Sequence, residues 1–79
     1  MAIPRSSPKA NQILGRNIAR LRLAKGLSQD VLAERLAVTP RYLRKIESGM
    51  HAPSLPVLLA ARKAVGADWG DLFVEVGED

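Results

Sequence analysis

The sequence has no cysteine, one histidine and only three aromatic residues. Without cysteine the chain cannot form a disulfide, a Cys-ligated zinc site or a catalytic thiolate. A single histidine, with no cluster of acidic residues around it, leaves a catalytic metal ion without enough ligands. We therefore expect neither a metal site nor a cofactor.

Long apolar runs are missing as well. No run approaches the roughly 18 residues that a membrane span requires. The first twelve residues, MAIPRSSPKANQ, contain no apolar core segment and so do not resemble a signal peptide. These features predict a cytoplasmic protein that has no membrane partner.

The 79 residues that are present are 47% hydrophobic, and many of these are alanine. Small apolar residues suit close helix–helix contacts, whereas a β-sandwich needs more β-branched and aromatic residues. A chain of this length forms one domain with a modest core. The composition therefore favours an all-α fold.

The charges are distributed unevenly along the chain. Residues 1–49 carry a formal charge of +7, and residues 50–79 carry −3. A basic half and an acidic half indicate that one surface meets a polyanion while the other does not. Ordinary solubilising surface charge is the alternative, and the charge alone does not separate the two.

Apolar periodicity and capping residues predict five helices. The first runs from Ile13 to Lys25 and ends at Gly26, after a flexible arm at 1–12. Hydroxyl or carboxylate caps predict the starts of the other four helices, at Ser28, Thr39, Ser54 and Asp68. The predicted helical region spans 13–74, and an acidic tail occupies 75–79.

The stretch from Leu27 to Ser48 is the most informative part of the chain. Its pattern is two short helices joined by about three residues, which is typical of a helix-turn-helix pair. The predicted inward positions are apolar: Val31, Leu32, Ala33, Leu36, Val38, Leu43 and Ile46. The predicted outward positions of the second helix are Arg41, Tyr42, Arg44 and Lys45. We interpret this basic face as one that reads DNA, with a merely solvated basic face as the alternative.

Several short motifs occur together at characteristic spacings: LR-x-x-x-GLSQ, the LA of helix 2, IE-x-G at helix 3, and then PSL. With these motifs the chain resembles the phage-repressor (Cro/C1-type, XRE-like) helix-turn-helix family, from Leu14 to Phe73. The family includes small single-domain regulators such as restriction–modification controller proteins. The resemblance implies a compact five-helix bundle of the lambda-repressor-like DNA-binding type.

The resemblance also implies a set of DNA-contacting residues: Gln29, Thr39, Pro40, Arg41, Tyr42, Arg44 and Lys45. Gln29 resembles the glutamine that binds a phosphate and braces the reading helix. Arg41 and Lys45 match the positions that reach base edges, and they lie one turn apart. Arg44 corresponds to a base or phosphate contact, and Tyr42 to a position near the DNA backbone.

Three residues depart from the family pattern. Pro40 occupies a place where several relatives use glutamine or serine to touch a base, so that hydrogen bond is lost. Met50 stands where lysine or arginine often follows the glycine. His51 either replaces that phosphate contact or is simply a loop residue, and we expect the latter.

Two further implications concern the scaffold and the partner subunit. Relatives pair the positions of Arg22 and Glu47 as a salt bridge between helix 1 and the end of helix 3. The late apolar residues suggest a dimer interface: Trp69, Leu72, Phe73, Val74 and Val76. Within this set we expect Leu72 and Phe73 to serve mainly the core, with Trp69 and the residues after Phe73 nearer the partner.

The function that follows is a sequence-specific transcriptional regulator that binds a palindromic operator as a homodimer. We expect no effector domain, as in the controller proteins that the chain resembles, and such proteins govern their own promoters. Double-stranded DNA and a second copy are the expected partners, and RNA polymerase or another regulator is a further one. The alternative is a protein-binding module, an antitoxin or anti-activator acting through helices 4 and 5. We reject an enzyme, because no nucleophile–base pair, metal set or phosphate-binding glycine loop is present.

Overall fold

The computed structural model describes residues 8–77, and every regular element within that range is an α-helix. The helices are α1 (Pro8–Ala24), α2 (Gln29–Leu36), α3 (Pro40–Ser48), α4 (Leu55–Val65) and α5 (Trp69–Phe73). The predicted all-α architecture of five helices is confirmed.

The helix starts are set by side chains that bind the backbone of the following turn. The hydroxyl groups of Ser28, Thr39 and Ser54 each accept a hydrogen bond from the N–H three residues on, at 3.1, 3.0 and 3.4 Å. At α5, the Asp68 N–H donates to Oδ2 of Asp71 at 3.4 Å. Such caps satisfy N–H groups that have no partner inside the helix, so they fix where each helix begins.

The first helix begins earlier than predicted. It starts at Pro8 rather than Ile13, so residues 8–12, which we assigned to a flexible arm, are helical. The apolar periodicity that locates a helix begins only at Ile13, whereas a first turn needs no apolar residue and tolerates proline. Residues 1–7 of the predicted arm, and residues 78 and 79 of the predicted acidic tail, lie outside the described residues.

The core draws on every helix. Its largest fully buried side chains are those of Ile18, Leu32, Leu43, Ile46 and Leu72, and α4 contributes Leu58, Ala61 and Val65. The prediction for Val31 is wrong, because its side chain is 39% exposed. Successive helix residues are about 100° apart, so Val31 lies to one side of Leu32 while Ala33 lies to the other, towards the core.

A glycine allows α1 and α3 to pack backbone against backbone. A Cβ on Gly15 would collide with the carbonyl oxygens of Ile46 and Glu47, the latter only 2.7 Å away. Neither oxygen can move without moving α3. The end of the helix with the basic face therefore lies directly on the α1 backbone.

A buried amide fastens the short α5 to α1. Asn17 is only 7% exposed, and its Nδ2 donates to the carbonyl oxygens of Leu72 at 2.8 Å and Val74 at 2.9 Å. Arg20 adds a bond from Nη2 to the carbonyl oxygen of Asp71 at 3.3 Å. These bonds satisfy carbonyl groups at the end of α5. They hold that helix in place although it is only five residues long.

Candidate nucleic-acid interface

The outer face of α3 is basic. Arg41 and Arg44 are exposed, and Tyr42 and Lys45 are half-buried on its flanks. Among the residues we predicted at its start, Thr39 is exposed and Pro40 is half-buried. The face therefore presents guanidinium and ammonium groups together with one phenol, all of which can donate hydrogen bonds to phosphate or base edges.

The connection between α2 and α3 is a tight turn. Ala37 adopts a left-handed conformation, with φ 56° and ψ 39°. Its N–H donates to Glu34 at 3.1 Å, and the Val38 N–H donates to the carbonyl oxygen of Ala33 at 3.0 Å. Glycine is the usual residue for such a position, so the sequence Ala-Val-Thr gave no signal of this geometry.

A buried polar network ties α3 to the two preceding helices. Arg22 Nε lies 2.8 Å from Glu47 Oε2, and the two side chains are only 10% and 7% exposed. The Nη2 group of Arg22 lies 3.3 Å from Glu47 Oε1, and its Nη1 group donates to the carbonyl oxygen of Leu27 at 2.8 Å. The salt bridge implied by the family resemblance is therefore present.

Gln29 completes this network. Its Nε2 donates to Glu47 Oε1 at 2.9 Å, so Glu47 is held by α1 and α2 at once. Stripping one partner from a buried ion pair typically costs about 3–5 kcal/mol. The orientation of α3 is consequently fixed by charged hydrogen bonds as well as by its apolar side. Gln29 is also the first residue of α2, and the N-terminus of a helix is favourable for an anion.

The loop after α3 folds back onto that helix. Gly49 has φ 87°, and the N–H groups of Met50 and His51 donate to the carbonyl oxygen of Lys45 at 2.9 and 3.3 Å. The imidazole of His51 stacks on the Tyr42 ring, with centroids 6.3 Å apart and planes inclined by 23°. The sequence pattern predicts only an ordinary loop role for His51. Nothing in the local sequence indicated this contact between rings from two different segments.

A second exposed surface lies at α5 and is apolar. Trp69, Phe73 and Val74 are 39%, 38% and 45% exposed. The two rings stack with centroids 5.9 Å apart, and the Arg62 guanidinium carbon lies 5.1 Å from the Trp69 ring centre. We call Trp69, Phe73 and Val74 the α5 patch.

The structure confirms one expectation about this surface and corrects another. Leu72 is fully buried within the subunit, so it serves the core as expected and leaves no exposed surface for the predicted contact with a partner. Phe73, in contrast, is exposed rather than mainly a core residue, since it lies one residue around the helix from Leu72. Val76 is half-buried and packs against the core.

Residues 8–77 lack two kinds of feature. No group of three or more histidine, aspartate or glutamate side chains in this range is arranged to hold a metal ion. Nor does this part of the chain contain a helix with the length and apolar character that crossing a membrane requires.

Comparison with known proteins gives consistent results. A family model described as a helix-turn-helix domain matches residues 13–75. An uncharacterized HTH-type transcriptional regulator, y4dJ of Sinorhizobium fredii, is 31% identical over 67 residues, which covers 85% of this chain and 87% of that protein.

Two solved structures are also similar. The clp gene regulator ClgR of Corynebacterium glutamicum superposes with a TM-score of 0.80 at 30% identity, over 87% of this chain and 73% of that one. The restriction–modification controller protein C.AhdI of Aeromonas hydrophila superposes with a TM-score of 0.76 at 31% identity, over 82% and 98% of the two chains.

Proposed function

Because the chain belongs to the helix-turn-helix domain family and is a DNA-binding transcriptional regulator, we propose that it binds a palindromic operator as a homodimer. The observation that carries the proposal is the exposed basic face of α3, which the network of Arg22, Gln29 and Glu47 holds rigidly. A rigid mounting matters because base readout requires donors at set positions along the groove.

In this proposal α3 enters the major groove. Arg41 and Lys45 reach base edges, and arginine against guanine O6 and N7 is the commonest specific contact. Arg44 and Tyr42 contact a base or the phosphate backbone beside it. Gln29 and the start of α2 take a phosphate, which positions the domain but carries no sequence information.

A single α3 reads only one half-site. Helix-turn-helix proteins reach a full operator as dimers, with half-sites about 34–36 Å apart. We propose the α5 patch as the surface for that contact, because aromatic residues are enriched in protein–protein interfaces and often contribute much of the binding energy. In a two-fold dimer the patch of one subunit meets the same patch of the other.

We further propose that the protein regulates its own promoter. The proposal is supported by the similarity of 82% of the chain to a restriction–modification controller protein. RNA polymerase is then a further partner if the bound dimer activates transcription. A purely protein-binding role is not favoured, because Arg41 and Arg44 of α3 remain exposed and such a module has no need of these cations.

The test is binding of the purified protein to the DNA upstream of its own gene and to a scrambled duplex, across a salt series. We expect two subunits per site on the upstream DNA and a steep loss of affinity with salt, because each neutralised phosphate releases counterions. Equally weak binding to both duplexes would contradict the proposal, and the α5 patch would then be examined for protein ligands.

A further inference from the structure

His51 is the chain's only histidine, and its position relative to α3 is well defined. Its own N–H, together with that of Met50, is bonded to the carbonyl oxygen of Lys45. Its ring lies against the Tyr42 ring, which belongs to the proposed DNA-contacting face. Backbone and side chain of this loop residue are therefore both anchored on the reading helix.

Stacking uses the faces of the two rings and leaves the nitrogen atoms at the edge of the imidazole available. His51 is exposed, so an approaching ligand can reach that edge. A neutral imidazole offers one N–H donor and a protonated one offers two donors and a positive charge. Both forms suit a phosphate oxygen, and the charged form binds it more strongly.

The charged residues of the helices that adjoin this loop are cations or are already engaged. On α3 these are Arg41, Arg44 and Lys45, and Tyr42 carries a hydroxyl. The start of α1 lies against Gly49 and carries Lys9. Glu47 is held by Arg22 and Gln29. The loop and α4 contribute no charged side chain between residues 49 and 61. No carboxylate in this part of the chain is left to neutralise a proton on His51, whereas a DNA phosphate would neutralise it.

We propose that His51 is a phosphate-binding residue of the DNA interface, that the Tyr42 ring positions it, and that it takes up a proton when DNA binds. The inference rests on the proposed function and adds a regulatory property to the same site. Histidine is the side chain whose charge ordinarily changes between about pH 5 and pH 8. DNA binding accordingly becomes tighter and more salt-dependent as the pH falls through this range.

The experiment uses the full chain and a duplex selected from a random pool for tight binding. The affinity is measured against salt concentration at about pH 5.5 and at about pH 8, within the range in which histidine titrates. One additional phosphate contact changes the slope of log K against log salt by about 0.9, so the two copies of His51 in the proposed homodimer change it by about 1.8. We expect a change of about this size for the natural protein and none for His51→Asn. Met50→Ala alters the neighbouring exposed residue and should respond like the natural protein.

A second measurement does not depend on affinity. With one histidine in the chain, the imidazole proton resonances are assigned without ambiguity. We expect them to titrate at a higher pH when the selected duplex is present than when it is absent, and Tyr42→Leu should reduce that difference.

Three outcomes would overturn the inference. Equal pH responses of the natural protein and His51→Asn show that another group titrates. An imidazole titration unaffected by DNA shows that His51 meets no phosphate. Both can occur while selective DNA binding persists, so they leave the proposed function intact. Failure to select any duplex removes the proposed function, and the inference with it.

Discussion

Ala37 adopts its left-handed conformation in the turn that joins the two helices of the helix-turn-helix. For an L-residue this conformation costs roughly 1–2 kcal/mol, because Cβ approaches the carbonyl oxygen. Glycine avoids the clash but loses more backbone entropy on folding, about 0.4–1 kcal/mol. The strain energy at Ala37 is therefore larger than the free-energy cost of the backbone entropy that a glycine would lose.

We predict that Ala37→Gly raises the free energy of unfolding by about 0.5–1 kcal/mol, the difference between these two terms. Urea denaturation measures the change. Ala19→Gly, inside α1, is the matched control and should cost about 1 kcal/mol because it gains no relief of strain. A loss of stability in Ala37→Gly would show that the turn is not strained.

Arg41 is the residue on which base readout depends most in the proposed complex. We predict that Arg41→Ala lowers discrimination at one base pair of each half-site by about 1–3 kcal/mol. Competition binding with a set of singly substituted operators measures it. Lys63→Ala, an exposed cation of α4, is the control and should leave the preference unchanged. An unchanged preference in Arg41→Ala would mean that α3 is oriented differently on DNA.

Residues differ in how far their roles can be predicted from sequence. The capping roles of Ser28 and Thr39 were predictable, because a cap acts on the backbone three residues away. The role of Asn17 was not, because its acceptors lie 55 and 57 residues further along the chain. Arg22 and Glu47 lie between these cases, since only a family resemblance paired them.

At the scale of the helices, Gly15 and Gly70 form a natural pair for comparison. A Cβ at Gly15 would collide with the α3 backbone, whereas a Cβ at Gly70 would have no neighbour within 4 Å. We predict that Gly15→Ala lowers the free energy of unfolding by about 1–3 kcal/mol or more, as overpacking does. Gly70→Ala should be neutral or slightly stabilising, because alanine favours a helix.

Denaturation of both variants under the same conditions makes the comparison. The Gly15→Ala protein should also lose DNA affinity, because α3 can accommodate the methyl group only by shifting. Equal stabilities of the two variants would show that α1 and α3 separate without cost.

The helices themselves were largely predictable, and their packing was not. From α2 to α4, each helix starts at a hydroxyl cap, and α3 and α4 end at a glycine with positive φ. These are local signals. The start of α1 was missed because a first turn carries no periodic signal, and the closeness of α1 to α3 was missed because a glycine within a helix does not reveal what packs against it.

At the scale of the whole molecule, the α5 patch should control assembly. We predict that Trp69→Ala raises the dissociation constant of the proposed homodimer by tenfold or more, since an interface aromatic residue commonly contributes over about 1.4 kcal/mol. Sedimentation equilibrium measures it. Leu23→Ala, which truncates a side chain that is 65% exposed on α1, is the control and should leave the dimer unchanged.

Helical content from circular dichroism should be the same in Trp69→Ala and the natural protein, which separates assembly from folding. Equal dimer stability in both variants would mean that subunits meet elsewhere.

The basic and acidic halves of the chain were visible in the sequence from the start. The sequence did not reveal which apolar residues lie on the surface. Leu72 and Phe73 are neighbours in one short helix, and they differ only in the direction in which that helix points their side chains.

The contacts that hold α3 and the groups that it presents outwards belong to different residues. Leu43, Ile46 and Glu47 face the rest of the protein, whereas Arg41, Arg44 and Ser48 are exposed. Substitutions at the exposed positions therefore carry little folding cost, typically within about 0.5 kcal/mol. A lineage of such proteins can acquire new operator preferences through surface substitutions alone, with no compensating change in the core.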